Sequence, residues 1–442
     1  MLSYMIQRSH FALFVDPRMG KTLPTVKRIG MMSPAAESIL IAGPYSCLFG
    51  WEETILRETG ERVTYITGDA ESKAEGLRER SRWCLTNKES HLYAPLHRVH
   101  WDVVIADEST FLKNPGSKVS KYFSRHFRSA RIRGILSGTP APEGEQEYFQ
   151  QLKFLDPSII GYKGYWDWIH DWFIQPLGAE LVKSKAHKWY ISLKGRERLQ
   201  RQLSTNCFAL KRSDVREERI ERQVRKVHLP GEFREIYNKV EQEFILSLPS
   251  GEALRTIWST QQYIWYRQIA SGIVRGELIW PGKIEAVWEF LQTELRGQPV
   301  VIWAAFTDEI RYIYDIFTKR GARCVQVWGE VRPEERERRR IEFQQGRVEY
   351  FIGQPACFRH GTDLSVADTE IYFSSPTGLE TRQQSRDRIV SMAKDCILYV
   401  VDFLTEKTVD ESIHRGTAAK ERRSDLMLRV IRDARKRQEG GV

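Results

Sequence analysis

The chain has 442 residues, of which 41% are hydrophobic and 29% charged, and it carries a formal net charge of +10. That length suits two or three domains, and the apolar share is enough for packed cores, which excludes a disordered or fibrous chain. The positive balance favours a polyanionic partner, nucleic acid ahead of membrane, and no apolar run reaches membrane-spanning length. The cysteines Cys47, Cys84, Cys207, Cys324, Cys357 and Cys396 form no C-x-x-C pair, so no structural zinc site is expected. Scattered cysteines with no signal peptide fit a reducing, cytoplasmic setting.

Residues 1–142 alternate apolar strands with helical stretches. Phe11–Val15, Ser38–Ala42, Val63–Ile66, Val103–Ala106 and Arg133–Ser137 are the expected strands. Continuous apolar strands between helices imply a parallel sheet covered on both faces, an α/β lobe. Residues 143–282 lose this rhythm and become helical in pattern, rich in aromatics such as Trp166, Trp168, Trp172, Trp189 and Trp265. Most of these are expected in a core, with one or two left to stack on bases. Strands return at Val300–Trp303, Cys324–Val327, Tyr350–Gly353, Thr369–Phe373 and Ile397–Val401, which makes 283–414 a second α/β lobe. Residues 415–442 form a basic helix.

Chemistry concentrates in the first lobe. Asp16-Pro17-Arg18-Met19-Gly20-Lys21-Thr22 follows a strand and opens a helix. Gly20 permits a tight turn, Lys21 reaches β and γ phosphates, and Thr22 holds Mg²⁺. Met19 and Gly20 complete the phosphate-binding set. Val15 stands where the general phosphate-loop pattern has glycine, so the loop is a variant form. The strand Val103–Ala106 ends in Asp107-Glu108. Asp107 is the expected Mg²⁺ ligand beside Thr22, and Glu108 the base that readies water. ATP and Mg²⁺ are therefore the expected cofactors. The phosphate loop follows so soon after Met1 that no targeting segment is expected before it.

With these blocks in hand, the chain resembles helicase superfamily two, and within it the Swi/Snf-type branch in the compact form seen in bacterial viruses. Asp16–Thr22 is similar to motif I, Ala42-Gly43-Pro44 with Trp51-Glu52 to motif Ia, and Trp101–Glu108 with Leu112-Lys113-Asn114 to motif II. Leu136–Pro140 matches motif III, Val301–Phe306 motif IV, Gly361–Ala367 motif V, and Gln384–Arg388 motif VI. Thr408-Val409-Asp410-Glu411 matches a block near the end of this branch. The resemblance implies two RecA-like lobes with a helical inter-lobe segment, ATP between the lobes, and a nucleic-acid strand tracked as they open and close. It assigns Gly361 and Asp363 to the nucleotide and Arg386 or Arg388 as the arginine that meets the γ-phosphate. The second motif VI arginine is replaced by Ser391, and Gln7 stands too close to the loop to match the family's adenine reader.

The same resemblance implies nucleic-acid contacts from Pro44, Tyr45 and Ser46, from Lys113 and Asn114, and from Thr362 and Ser365. Lys211-Arg212 resembles a basic pair of the inter-lobe segment, with an exposed turn as the plainer reading. The expected activity is ATP-dependent DNA translocation or remodelling, in the host cytoplasm if the chain is viral, and a monomer fits. An RNA-dependent relative and a nucleic-acid-binding protein with a degenerate ATPase remain the alternatives.

Overall fold

Strands that are apolar on both faces are satisfied only inside a sheet covered on two sides. A computed structural model of the chain shows two such sheets. It describes every residue except 33–34, 91–94, 176–188, 217–218, 244, 248–252, 256–258, 359–362, 391–395 and 440–442. The chain divides into two compact units, Met1–Glu217 with Lys420–Val442, and Glu218–Ala419.

The first unit contains β1 (His10–Val15), β2 (Ile39–Gly43), β3 (Val63–Ile66), β4 (Trp83–Asn87), β5 (Val103–Asp107) and β6 (Ile132–Ser137). It also holds the short pair β7 (Phe173–Ile174) and β8 (Tyr190–Ile191), and β9 (Cys207–Leu210). The main sheet has seven strands in the order β3-β4-β2-β5-β6-β1-β9, and every pairing in it is parallel. Ala12 and Phe14 of β1 join one core while Phe11, Leu13 and Val15 join the other, the period-two alternation of a sheet buried on both faces.

The second unit holds β10 (Ile220–Val227), two minor hairpins β11 (Ile245–Ser247) with β12 (Ala253–Arg255) and β13 (Ile273–Val274) with β14 (Glu277–Leu278), then β15 (Val300–Trp303), β16 (Cys324–Val327), β17 (Tyr350–Gly353), β18 (Thr369–Tyr372) and β19 (Leu398–Thr405). Its main sheet has six strands in the order β10-β19-β18-β15-β17-β16, again all parallel. The fold is therefore α/β with two parallel-sheet lobes.

The observed partition differs from the boundaries read off the sequence, for a packing reason. Trp168, Trp172, Leu199 and Leu203 of the helical segment, with Met427, Leu428 and Ile431 of the tail, share one core with Phe14 and Val104 of the first sheet. Tyr237, Trp265 and Ile269 belong instead to the core under β15 and β18. The basic tail is tied down by charge as well. Lys420 meets Glu143 at 2.5 Å, Arg432 meets Asp214 at 2.5 Å, and Lys211 pairs with Asp425. Trp166 is the exposed exception among the aromatics of 165–173.

Candidate nucleotide site

In a parallel α/β sheet, ligands bind beyond the carboxyl ends of the strands. Three such ends meet here. β6 lies between β5 and β1, so Ser137-Gly138-Thr139 separates the phosphate loop from the acidic pair. The helix Thr22–Met32 starts directly after Lys21, and the first four amides of any helix lack intrahelical partners. Gly20 has φ +75 and Arg18 φ +64. Added bulk at Gly20 would meet nothing within 4 Å, so the backbone angle is what favours glycine there.

Lys21 is largely buried. Its Nζ donates to the Val15 carbonyl at 2.9 Å, and it stands 3.9 Å from Glu108 Oε1. Val15, the residue that departs from the general loop pattern, thus supplies the carbonyl that holds the lysine. Asp107 is 7% exposed. Its Oδ2 accepts from the Trp51 indole at 2.8 Å, and its Oδ1 accepts from the Glu108 amide at 3.0 Å. Glu108 adopts φ +47, a strained left-handed conformation for a non-glycine residue.

Close packing holds these ends in register. A Cβ on Gly43 would come within 3.2 Å of the Asp107 Cβ, and one on Gly138 within 2.8 Å of Pro17 Cδ. The glycines of motifs Ia and III therefore make room for the carboxylate and for the phosphate loop. Gln151, fully buried, accepts from Ser109 Oγ at 2.7 Å and donates to the Pro140 carbonyl at 2.6 Å. It ties the turn after Glu108 to the turn after β6. Arg212 is 3% exposed, not a surface turn. Its amide donates to Asp16 Oδ2 at 3.0 Å and its Nη1 to the Pro17 carbonyl at 3.2 Å, so it braces the phosphate loop from the end of β9. Trp51, Gln151 and Arg212 received no role from sequence reasoning. Trp51 and Arg212 carried a signal, each lying in a family-like block.

The residues assigned to nucleic acid are placed as follows. Pro44 is buried and caps the helix Tyr45–Thr59. Tyr45 and Ser46 are exposed on its first turn. Asn114 is exposed and closes a turn by accepting from the Gly116 amide. Lys113 is engaged by Glu147 at 3.2 Å, whose carboxyl burial pushes above the usual range while Lys113 pulls it down. Gly361, Thr362 and Ser391 lie outside the described residues.

Asp363, Ser365, Arg386 and Arg388 belong to the second unit. Asp363 Oδ1 accepts from the Ser365 amide at 3.1 Å. Arg388 is 6% exposed, and its Nε donates to the Gln384 carbonyl at 2.9 Å. Arg386 ends the helix Leu379–Arg386 near the buried carboxyl of Glu370. One turn earlier Arg382 grips Asp402 through bonds of 2.8 and 2.6 Å and lies over the Tyr372 ring. The Thr408–Glu411 block is structural in the same manner, with Asp410 meeting the fully buried Lys283 at 2.6 Å.

The residues of the first unit fit a magnesium-bound triphosphate. Each Asp107 oxygen accepts one hydrogen bond and keeps lone-pair capacity for a cation or its water. A buried ammonium and a helix N-terminus supply the complement to phosphate.

The family model described as SNF2-related domain matches residues 2–269, and that of the helicase conserved C-terminal domain matches 282–393. SWI/SNF-related matrix-associated actin-dependent regulator of chromatin subfamily A member 1 of Homo sapiens is 23% identical over 93% of this chain and 41% of its own length. The ISWI chromatin-remodeling complex ATPase ISW1 of Saccharomyces cerevisiae is 30% identical over 35% of this chain and 14% of its own. The chain spans less than half the length of these two relatives. The solved SWI2/SNF2 ATPase core of Sulfolobus solfataricus in complex with dsDNA is 18% identical, covers 97% of this chain and 95% of its own, and has a TM-score of 0.44. The two curated relatives are eukaryotic proteins and lend the viral-form resemblance no support. Among the described residues no helix is long and apolar enough to cross a membrane. With the SNF2-related domain matched over more than half its length and the helicase C-terminal domain after it, the chain belongs to the SNF2-related family of helicase-like ATPase domains.

Proposed function

We propose that the chain hydrolyses ATP at the strand ends of its first unit and couples hydrolysis to movement along, or remodelling of, DNA. The observation that carries the reading is the placement of Lys21 3.9 Å from Glu108 past the end of β6, with Asp107 beside them. Thr22 and Asp107 would hold a Mg²⁺ ion, which would supply charge neutralisation for the phosphate oxygens. Lys21, now on the Val15 carbonyl, turns to the β and γ phosphates. Glu108 orients the attacking water and takes its proton. Trp51 and Gly43 keep Asp107 aimed, and Arg212 keeps the loop in shape. Arg386 or Arg388 is the arginine that the family resemblance assigns to the γ-phosphate. DNA as the partner is supported by the chromatin-remodelling names of the relatives and by the net charge of +10.

The test is phosphate release from ATP by the full chain, with duplex DNA, single-stranded DNA or RNA present. Duplex DNA should stimulate most, and Lys21→Ala should reduce turnover by at least about a hundredfold, in line with loss of a transition-state charge partner. No turnover with any nucleic acid, or undiminished turnover in Lys21→Ala, would overturn the proposal.

A further inference from the structure

A cavity of about 520 Å³ lies wholly within the first unit, away from the phosphate loop. Its walls include Ser124, Arg128, Lys153, Ser158, Tyr162 and Lys163. Arg128 precedes β6, so the cavity lies toward the amino ends of the strands. A strand rises about 3.3 Å per residue, so the run of β6 sets the cavity on the order of 15–20 Å from the site at Ser137.

Three cations converge on this cavity, and no carboxylate is among its lining residues. Among the described residues Arg128, Lys153 and Lys163 have no acidic partner, whereas Lys113, Lys420 and Arg432 each have one. Asp156 lies next in the chain, but its Oδ1 accepts from the Ser158 amide at 2.8 Å and its charge couples to His10 and Arg133. Asp171 is taken by the Tyr162 hydroxyl and by Arg198.

Part of the wall is held in place by specific contacts. Lys153 lies over the Phe149 ring at 5.3 Å and donates to the Lys163 carbonyl. Arg133 holds the chain beneath, donating to the Leu155 carbonyl at 2.9 Å and the Ala130 carbonyl at 3.1 Å. Ser124 Oγ accepts from Gln150 at 2.6 Å, which leaves its hydroxyl hydrogen for a ligand. Burial and then the charge of Arg128 push the Lys153 ammonium below its usual range. Arg128 and Lys163 are exposed and Lys153 only partly buried, so an incoming phosphate meets three cations with no acid beside them to compete for it.

From this geometry we infer a second anion site, one that receives a phosphate group between Arg128, Lys153 and Lys163 with Ser124 donating to it. The phosphate comes either from a nucleic-acid backbone or from a free polyphosphate. The inference does not depend on the ATPase reading, because none of these residues touches the nucleotide site.

The test uses the full chain carrying Lys21→Ala, so that the phosphate loop contributes little to anion binding. Arg128→Glu with Lys163→Glu is compared with the unmodified cavity, and Arg128→Gln with Lys163→Gln, at matched melting temperature, guards against misfolding. Pyrophosphate is titrated calorimetrically, and duplex DNA affinity is followed across salt concentrations. A loss of pyrophosphate affinity of about tenfold or more in both variants, with DNA binding unchanged, assigns a free polyphosphate. A fall of about one or two in the slope of log affinity against log salt assigns nucleic-acid phosphates. Unchanged pyrophosphate binding together with an unchanged slope overturns the site.

Discussion

Two charged sites, one in each unit, hold their charges in opposite ways. At the strand ends of the first, Lys21 and Glu108 stand 3.9 Å apart, beyond hydrogen-bond reach, and Lys21 rests on a backbone carbonyl. In the second, Arg382 locks onto Asp402 through two short bonds, and Lys283 onto Asp410 at 2.6 Å. A locked buried pair serves architecture, since removing one partner strands the other in a low-dielectric interior. Lys21, resting on a backbone carbonyl rather than locked onto an acid, keeps its charge for a ligand.

This contrast is broken most severely in the second unit. Arg382→Ala should cost roughly 3–5 kcal/mol of stability by denaturant unfolding, with Asp402→Ala added on top costing little more. A loss below about 1 kcal/mol would mean that the pair is not holding the unit together.

Glu370 gives the next largest effect. Burial pushes its carboxyl up to about 7 from 4.5, while Trp303 and Arg382 pull the other way. Its Oε2 accepts from the Trp303 indole at 2.9 Å, and its Oε1 has no protein partner among the described residues. Because the folded value is raised, the stability it contributes is full below pH 4.5 and is lost as pH rises to about 7. The loss is about 3 kcal/mol. Glu370→Gln should flatten the stability profile across that window and melt no lower than wild type above it. An unaltered profile would remove Glu370 from the account.

Trp51→Phe sharpens the comparison from the other side. It keeps an aromatic ring in the core but removes the indole N–H that bonds Asp107, together with part of the buried ring's packing. ATP turnover should fall by about 10–100-fold, as for a residue that orients a ligand group, with a melting-temperature loss no larger than the lost ring packing explains. A large loss of stability with unchanged kcat would make Trp51 merely structural.

How much of this was legible in the sequence depended on whether the signal was local. Asp16–Thr22 and Asp107-Glu108 could be read because their chemistry sits in contiguous residues at the ends of apolar runs. β15 and β17 could be read because strands buried on both faces are continuously apolar. β10 could not, because it is an edge strand rich in charge, with Glu221, Arg222 and Lys226 exposed and no continuous apolar run. β9 is four residues long and follows directly on the helix Leu193–Asn206, so helical periodicity hid it. Trp51 and Gln151 could be given roles only through partners distant in sequence: Asp107 for the first, Ser109 and Pro140 for the second. The Lys211-Arg212 signal was visible, yet burial, which decides what Arg212 does, is not written in the residue pair.

The most direct measurement is ATP binding and phosphate release compared in wild type and Glu108→Gln. This change keeps the shape of the site and removes the base. The account expects unchanged ATP affinity with release at least about a hundredfold slower, in the range general-base catalysis contributes. Equal release rates in the two proteins would contradict it.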